Sequence, residues 1–332
     1  MPSLSPDSRK LLEMANGFRA SCVLGAAAEL DLFTVLGGQA MTAEEIAPKL
    51  SSGVRGVRML LDALAALGVL DKREQTYAVP ETMRPLLVED SPRTLLPMVR
   101  HMTCVLRSWS QLAAVVRLGE PAARQASIRG AEADRAAFIA AMHSISAPAA
   151  DELVGRLMPL GFEHLLDVGG ASGTWTLALL RVAPQATATI FDLPDAIQQA
   201  RERIGRTDFA SRVRFAAGDF YADELPGGAD FAWVSAIAHQ HGREQNRNLY
   251  GKVFRALASG GQIGIRDMLM DASRTVPVDG ALFAINMLVN TQTGGTFTFD
   301  EFRDDLQAAG FVDVEAKVRS EDMNSVVLAR KP

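Results

Sequence analysis

Apolar positions in the first hundred residues recur three or four apart, the helical period, through "RASCVLGAAAELDLFTVL", "MTAEEIAPKL" and "GVRGVRMLLDALAALGVL". Thr42 and Glu45 stand at capping-box spacing at the start of the second of these helices. "VLDKREQTYAVP" then reads as two short strand pieces around a polar turn. Helices followed by a hairpin make a winged-helix pattern, which serves either DNA binding or packing and dimerisation. The third helix carries Arg55 and Arg58 but also Asp62 and a run of Leu and Ala. Such a helix has a packing face and lacks the basic face that a groove reader needs.

Helical patterning continues from about Arg93 to Gly161, and Pro148 marks a boundary between residues 1–148 and 149–332. From His164 the period changes. "HLLDVG", "TATIFD", "VRFAAG", "DFAWVSA" and "QIGIRDML" read as strands alternating with helices, which predicts a parallel sheet covered on both faces. After the helix "FDEFRDDLQAAG", the runs "FVDVEAKV" and "NSVVLARK" are joined by a short polar link, which forces an antiparallel hairpin at the sheet edge.

A chain of 332 residues suits two cores better than one. Its net charge of −5, with both signs interspersed, lacks the basic excess that neutralises phosphates, so a small molecule is the expected partner rather than nucleic acid. Two cysteines, Cys22 and Cys104, make neither a disulfide framework nor a four-ligand zinc site, and no metal is expected. The opening "MPSLSPDSRKLLEMANG" has no apolar signal core, and the most apolar windows fall short of the roughly 20 residues that cross a bilayer. A cytoplasmic protein without a membrane span is expected.

The chemistry concentrates at predicted strand ends. "DVGGASGT", Asp167 to Thr174, joins the first strand to a helix, and Gly169, Gly170 and Gly173 allow a tight turn and close ligand approach. Asp192, followed by Leu193 in "FDLPD", can accept hydrogen bonds from two ribose hydroxyls. Gly218, Asp219 and Phe220 in "AAGDF" can meet an adenine edge. Three strand ends then converge on one nucleoside, where open α/β sheets bind ligands. NAD-dependent hydride transfer also uses a glycine turn and a later acid. The acid two residues before the first glycine, the third acid and the terminal hairpin favour S-adenosylmethionine (SAM).

These motifs resemble those of the class I SAM-dependent O-methyltransferases of the plant and acetylserotonin type: "LLDVGGASG", "FDLPD", "GDFY", "IAHQ", "LASGGQIGIRD" and "GGTFTFDEFRDDLQAAGF". The resemblance implies a Rossmann-like α/β sheet with an antiparallel terminal hairpin, preceded by a mainly helical winged-helix domain, in a homodimer. It implies SAM contacts at Gly169, Asp192, Asp219 and Phe220, with Ser235 near the cofactor. Ala171 departs from the family, standing where a third glycine is usual.

Two histidines one residue apart, His239 and His241, end the predicted strand "DFAWVSA" and its short extension. Imidazole, with an ordinary pKa near ~6.5, is suited to taking a phenol proton as a bond forms. The resemblance assigns that role to His239 and places His241 where tryptophan is usual, at the pocket rim or capping the following helix. It places Asp267 beside the base as its orienting acid, and Phe297 where the family has a second acid. In "VDGALFAINMLVNTQTGG", Phe283, Asn286, Met287 and Asn290 share a helix face, as core or as acceptor pocket, with the asparagines as substrate partners. Met142 and His143 line the pocket or join the domains; His101, His164, Trp109 and Trp175 are structural. The expected reaction is methylation of a hydroxyl on a small aromatic or enolic acceptor. A nitrogen, sulfur or carbon acceptor, another SAM-dependent reaction, and a SAM-sensing winged-helix regulator are the alternatives.

Overall fold

The alternation that begins at His164 becomes one seven-stranded sheet. Its strands and helices are β1 (His164–Val168), α1 (Thr174–Val182), β2 (Thr187–Asp192), α2 (Pro194–Ile204), β3 (Val213–Ala217), β4 (Ala229–Ser235), α3 (Arg243–Ala256), β5 (Leu257–Asp267), α4 (Val278–Asn290), α5 (Phe299–Ala308), β6 (Val312–Val318) and β7 (Ser325–Arg330). The structure, a computed structural model, describes residues 6–170 and 172–332, without the side chains of residues 143–145 and 148. Ala171 and the side chain of His143 therefore lie outside the described residues. Two compact units result: residues up to Arg107 with Arg124–Ser144, and Ser108–Ala123 with Ile145–Pro332. The last of the three crossings between them falls within a continuous helix, Ala131–Leu157, that runs through Pro148.

In the first unit, helices Phe18–Glu29, Leu32–Leu36, Ala43–Lys49 and Val54–Ala66 bury Leu32, Phe33, Ile46, Leu61 and Leu64. Thr42 caps the third of these, its hydroxyl accepting from the Glu45 amide while the Glu45 carboxylate accepts from Thr42 N at 2.8 Å. Strands Asp71–Arg73 and Thr76–Ala78 pair as the hairpin, and Met41–Thr42 extends it. Asp62 accepts from Lys72 Nζ at 2.6 Å and from the Tyr77 hydroxyl at 2.7 Å, and Arg58 pairs with Glu44. Arg58 and Asp62 of the last helix are thus engaged by its neighbours.

In the second unit the sheet runs β3-β2-β1-β4-β5-β7-β6, parallel except at β7 and β6. One face buries Leu165, Ile190 and Trp233, and the other Leu166, Val234 and Ile263, so both faces are covered. Val168 pairs with Phe191 and Val234, Val234 pairs with Ile265, and Asp192 pairs with Ala217. That register brings the carboxyl ends of five parallel strands level. The strand expected from Gln262 begins at Leu257, through Gly260 at φ +79°. Exposed positions and a glycine pair there give no alternating signal to read.

Candidate active site

Gly169 and Gly173 have φ near +69° and +67°, conformations that a side chain strains, so the first loop requires glycine at both. Gly170 is required by space, because a Cβ would stand 2.6 Å from the Asp167 carboxyl carbon. Asp167 is buried, and Thr176 donates to its Oδ2 at 2.5 Å. Burial, with Asp192 a smaller cause, raises Asp167 from the carboxylate range to about 7. Arg203 of α2 donates to the Ser172 carbonyl at 2.6 Å and to Thr174 Oγ1 at 2.9 Å, bracing the loop from the side.

Asp192 ends β2 half-buried, and its Oδ1 accepts from Leu193 N at 2.7 Å; Leu193 itself points into solvent. After β3, Gly218 N donates to Asp192 O at 3.0 Å, tying the second loop to the first acid. Asp219 Oδ1 accepts from Tyr221 N at 2.8 Å, and Asp219 N donates to Asp223 Oδ2 at 2.8 Å. Ser235 ends β4, where its hydroxyl accepts from Arg266 Nη1 at 3.2 Å. Arg266 is buried over the Trp175 ring, its guanidinium 4.5 Å from the ring centroid, and burial pulls it down to about 10.

Ala236 leaves β4 in a left-handed conformation, φ +57°, which is uncommon for a residue with a side chain and turns the chain across the sheet end. The short turn Ala238–Gln240 follows. His239 and Asp267 meet there, both buried: His239 Nδ1 lies 2.9 Å from Asp267 Oδ1, and His239 N donates to Oδ2 at 3.1 Å. Met268 N donates to Oδ1 at 2.8 Å, so the acid is held from its own strand as well. A carboxylate at Nδ1 makes that nitrogen the protonated one, which leaves the lone pair on Nε2. The Phe283 ring packs edge-on to His239 at 4.9 Å.

His241 goes elsewhere. Its Nδ1 lies 2.5 Å from the Tyr221 hydroxyl, and its ring meets Phe220 and Tyr221 edge-on. Burial, with His239 a smaller cause, pushes it down to about 4, so it is neutral at neutral pH. It does not cap α3; Gly242 is the N-cap, with Gln245 Oε1 accepting from Gly242 N at 3.1 Å. Phe220, Tyr221 and His241 line a cleft of about 260 Å³ with Glu244, Gln245 and Asn248.

On α4, Asn286 Oδ1 accepts from Trp109 Nε1 at 2.9 Å and from Asn290 Nδ2 at 3.0 Å. The two asparagines first satisfy each other, and Trp109, read as a packing residue, is a hydrogen-bond donor. Met287 is buried and serves the core, and Phe297 packs edge-on against Phe302 at 5.9 Å. Met142 belongs to the first unit. Sequence reasoning missed Arg203, Arg266, Tyr221 and the Gly294–Gly295 pair, whose Gly295 N donates to His239 O at 2.9 Å. The glycine pair was the one visible signal among these.

The sequence profile of an O-methyltransferase domain matches residues 109–312, and that of an O-methyltransferase dimerisation domain matches residues 12–88. The chain is 32% identical to the tetracenomycin polyketide synthesis 8-O-methyl transferase TcmO of Streptomyces glaucescens, over 97% of this chain and 96% of that protein. It is equally similar to a 3-hydroxy-5-methyl-1-naphthoate 3-O-methyltransferase of Streptomyces sahachiroi, at 32% over 97% and 94%. Human N-acetylserotonin methyltransferase in complex with SAM has the same fold, with TM-score 0.84 and 25% identity over 100% of this chain and 99% of that one.

Proposed function

From the premise that this chain belongs to the SAM-dependent O-methyltransferases, we propose that it methylates a hydroxyl of a small aromatic or enolic acceptor, with His239 as the general base. The observation that carries the role of His239 is its bond to Asp267. A buried acid fixes the tautomer and the ring plane, and Nε2 is left without a protein partner among the described residues. Bound SAM supplies a methyl group on a sulfonium, which an oxygen nucleophile displaces in line. The chain must then orient that oxygen and take its proton, and an imidazole oriented by a carboxylate does this near neutral pH.

The residues at the strand ends fit a nucleoside. Asp192 would hold the ribose hydroxyls; Asp219, whose Oδ2 has no protein partner among the described residues, would accept from the adenine amine beside the Phe220 ring. Asp167 with Gly169, Gly170 and Gly173 shapes the turn beneath, and Ser235 with Arg266 closes the β4 end. Phe283 offers an apolar wall beside His239, and Asn286, its oxygen engaged by Trp109 and Asn290, retains an amide donor for the acceptor. An aromatic acceptor agrees with that wall and with the naphthoate named for one relative.

The test is single-turnover methyl transfer from radiolabelled SAM to a panel of phenolic and heterocyclic acceptors. His239→Ala should lower kcat by roughly 10²- to 10⁴-fold and leave SAM affinity nearly unchanged. Wild-type kcat in His239→Ala, with loss in His241→Ala, would transfer the role to the second histidine. A homodimer is part of the same proposal. Helix Pro6–Asn16 buries none of its residues, and Leu11, Leu12 and Met14 are exposed, so this surface suits a second copy of the chain.

A further inference from the structure

Lys252 lies on α3, a helix whose other polar side chains mostly face solvent, yet it is only 6% exposed. Its Nζ donates to the main-chain oxygens of Phe220 at 2.7 Å, Tyr221 at 3.1 Å and Asp223 at 2.8 Å. All three protons of an ammonium are thereby used. Glu224, the carboxylate that feels its charge, is paired with Arg255 at 2.8 Å rather than with Lys252. A buried ammonium without a direct ion pair is costly, and a methionine would remove that charge from the interior. What the ammonium adds is the gathering of three carbonyls from one turn.

That turn is the one after β3. Asp219 N is closed by Asp223 Oδ2, Tyr221 N by Asp219 Oδ1, and Ala222 N and Asp223 N by Asp219 O at 2.9 and 2.7 Å. The amides of Asp219, Tyr221, Ala222 and Asp223 are thus satisfied from within, that of Gly218 by Asp192 O, and the carbonyls of Phe220, Tyr221 and Asp223 by Lys252, so removing the cation releases one side of the turn only. Phe220, with its ring, and Tyr221, whose amide holds the Asp219 carboxylate, are carried on the released part.

We propose that Lys252 is a positioning residue for the adenine of the cofactor, holding the 218–223 turn so that Asp219 and Phe220 meet the base. The proposal rests on the reading of Asp192 and Asp219 as nucleoside ligands. It assigns to a helix lysine, outside the strand-end motifs, part of the selectivity for adenine over bases without the exocyclic amine. A residue that merely filled space would affect folding and leave that selectivity intact.

Calorimetric titration of the full chain with S-adenosylhomocysteine and with S-inosylhomocysteine, in which a carbonyl replaces the amine, reads the effect directly. The wild type should prefer the adenosyl compound by about tenfold or more, as expected for one charge-assisted hydrogen bond. In Lys252→Met, adenosyl affinity should fall by roughly tenfold and the preference should shrink to about threefold or less, with the acceptor KM unchanged. Lys252→Gln, which keeps an amide donor, should fall between and serves if the methionine variant does not fold. A folded Lys252→Met or Lys252→Gln with wild-type affinity and preference overturns the inference. Asp192→Ala separates the two layers: if it binds as wild type, or if the wild type does not discriminate the two compounds, the nucleoside reading falls and this inference with it. If Asp192→Ala loses affinity while the Lys252 variants keep theirs, only this inference falls.

Discussion

At Asp167 a single residue combines two demands, because the turn needs its carboxyl group beneath Gly170 and burial disfavours its charge. A carboxyl group raised from the ordinary range to about 7 binds a proton in the folded chain that the unfolded chain has already lost. Its contribution to stability is therefore full below about pH 4 and disappears as pH rises to about 7, for a total on the order of 4 kcal/mol. Asp167→Asn keeps an acceptor for Thr176 without a buried charge. Relative to this variant, wild-type stability should decline across pH 4 to 7, and above pH 7 the variant should be at least as stable. Thermal melts of both proteins over that range check the sign, and parallel curves would show that the acid is not buried in this state. His241 illustrates the opposite limit. Its burial, with His239 a smaller cause, leaves it neutral beside Tyr221, whereas His239 has its partner in an acid. The family resemblance assigned the base to His239 and Asp267 as its partner; what it did not give was Tyr221 as the partner of His241, a residue 20 positions away.

Elements position the site through their ends rather than their middles. The link between α4 and α5 comes back onto the turn after β4, and a Cβ at Gly294 would lie 2.5 Å from both His239 O and Thr291 Oγ1. Overpacking of this kind costs typically about 1–3 kcal/mol. Displacement of a base by about an ångström can cost on the order of 10²-fold in rate. Gly294→Ala should accordingly lower kcat by at least about tenfold and leave SAM affinity intact. Steady-state kinetics with calorimetry separates this from general destabilisation, which would lower the active fraction without changing kcat per folded molecule. The pair "GG" was visible in the sequence; that it abuts the backbone of His239 was not. The capping box of Thr42 and Glu45 was fully legible, because both its bonds span three residues of one helix.

For the whole molecule, the unburied helix Pro6–Asn16 sets the clearest expectation. Eleven residues is below the length at which an isolated helix holds in water, and this one buries none of its residues among the described ones. Light scattering should report about twice the 35.7 kDa chain mass, and truncation before Phe18 should weaken or abolish that association. An active monomer at micromolar concentration would count against the dimer and against this role for the helix.

The sequence by itself determined what depends on local period and near neighbours: the strands from His164 onward, the glycine turn, and the acids at strand ends, because side-chain alternation and strained φ angles leave their mark within a few residues. Packing alone set the sheet order, the engagement of Asn286 by Trp109, the pairing of His241 with Tyr221, and the burial of Lys252. Those depend on contacts between distant segments, where a lysine on a helix reads the same whether it faces water or three carbonyls, and only the packing of α3 against the turn after β3 makes the choice.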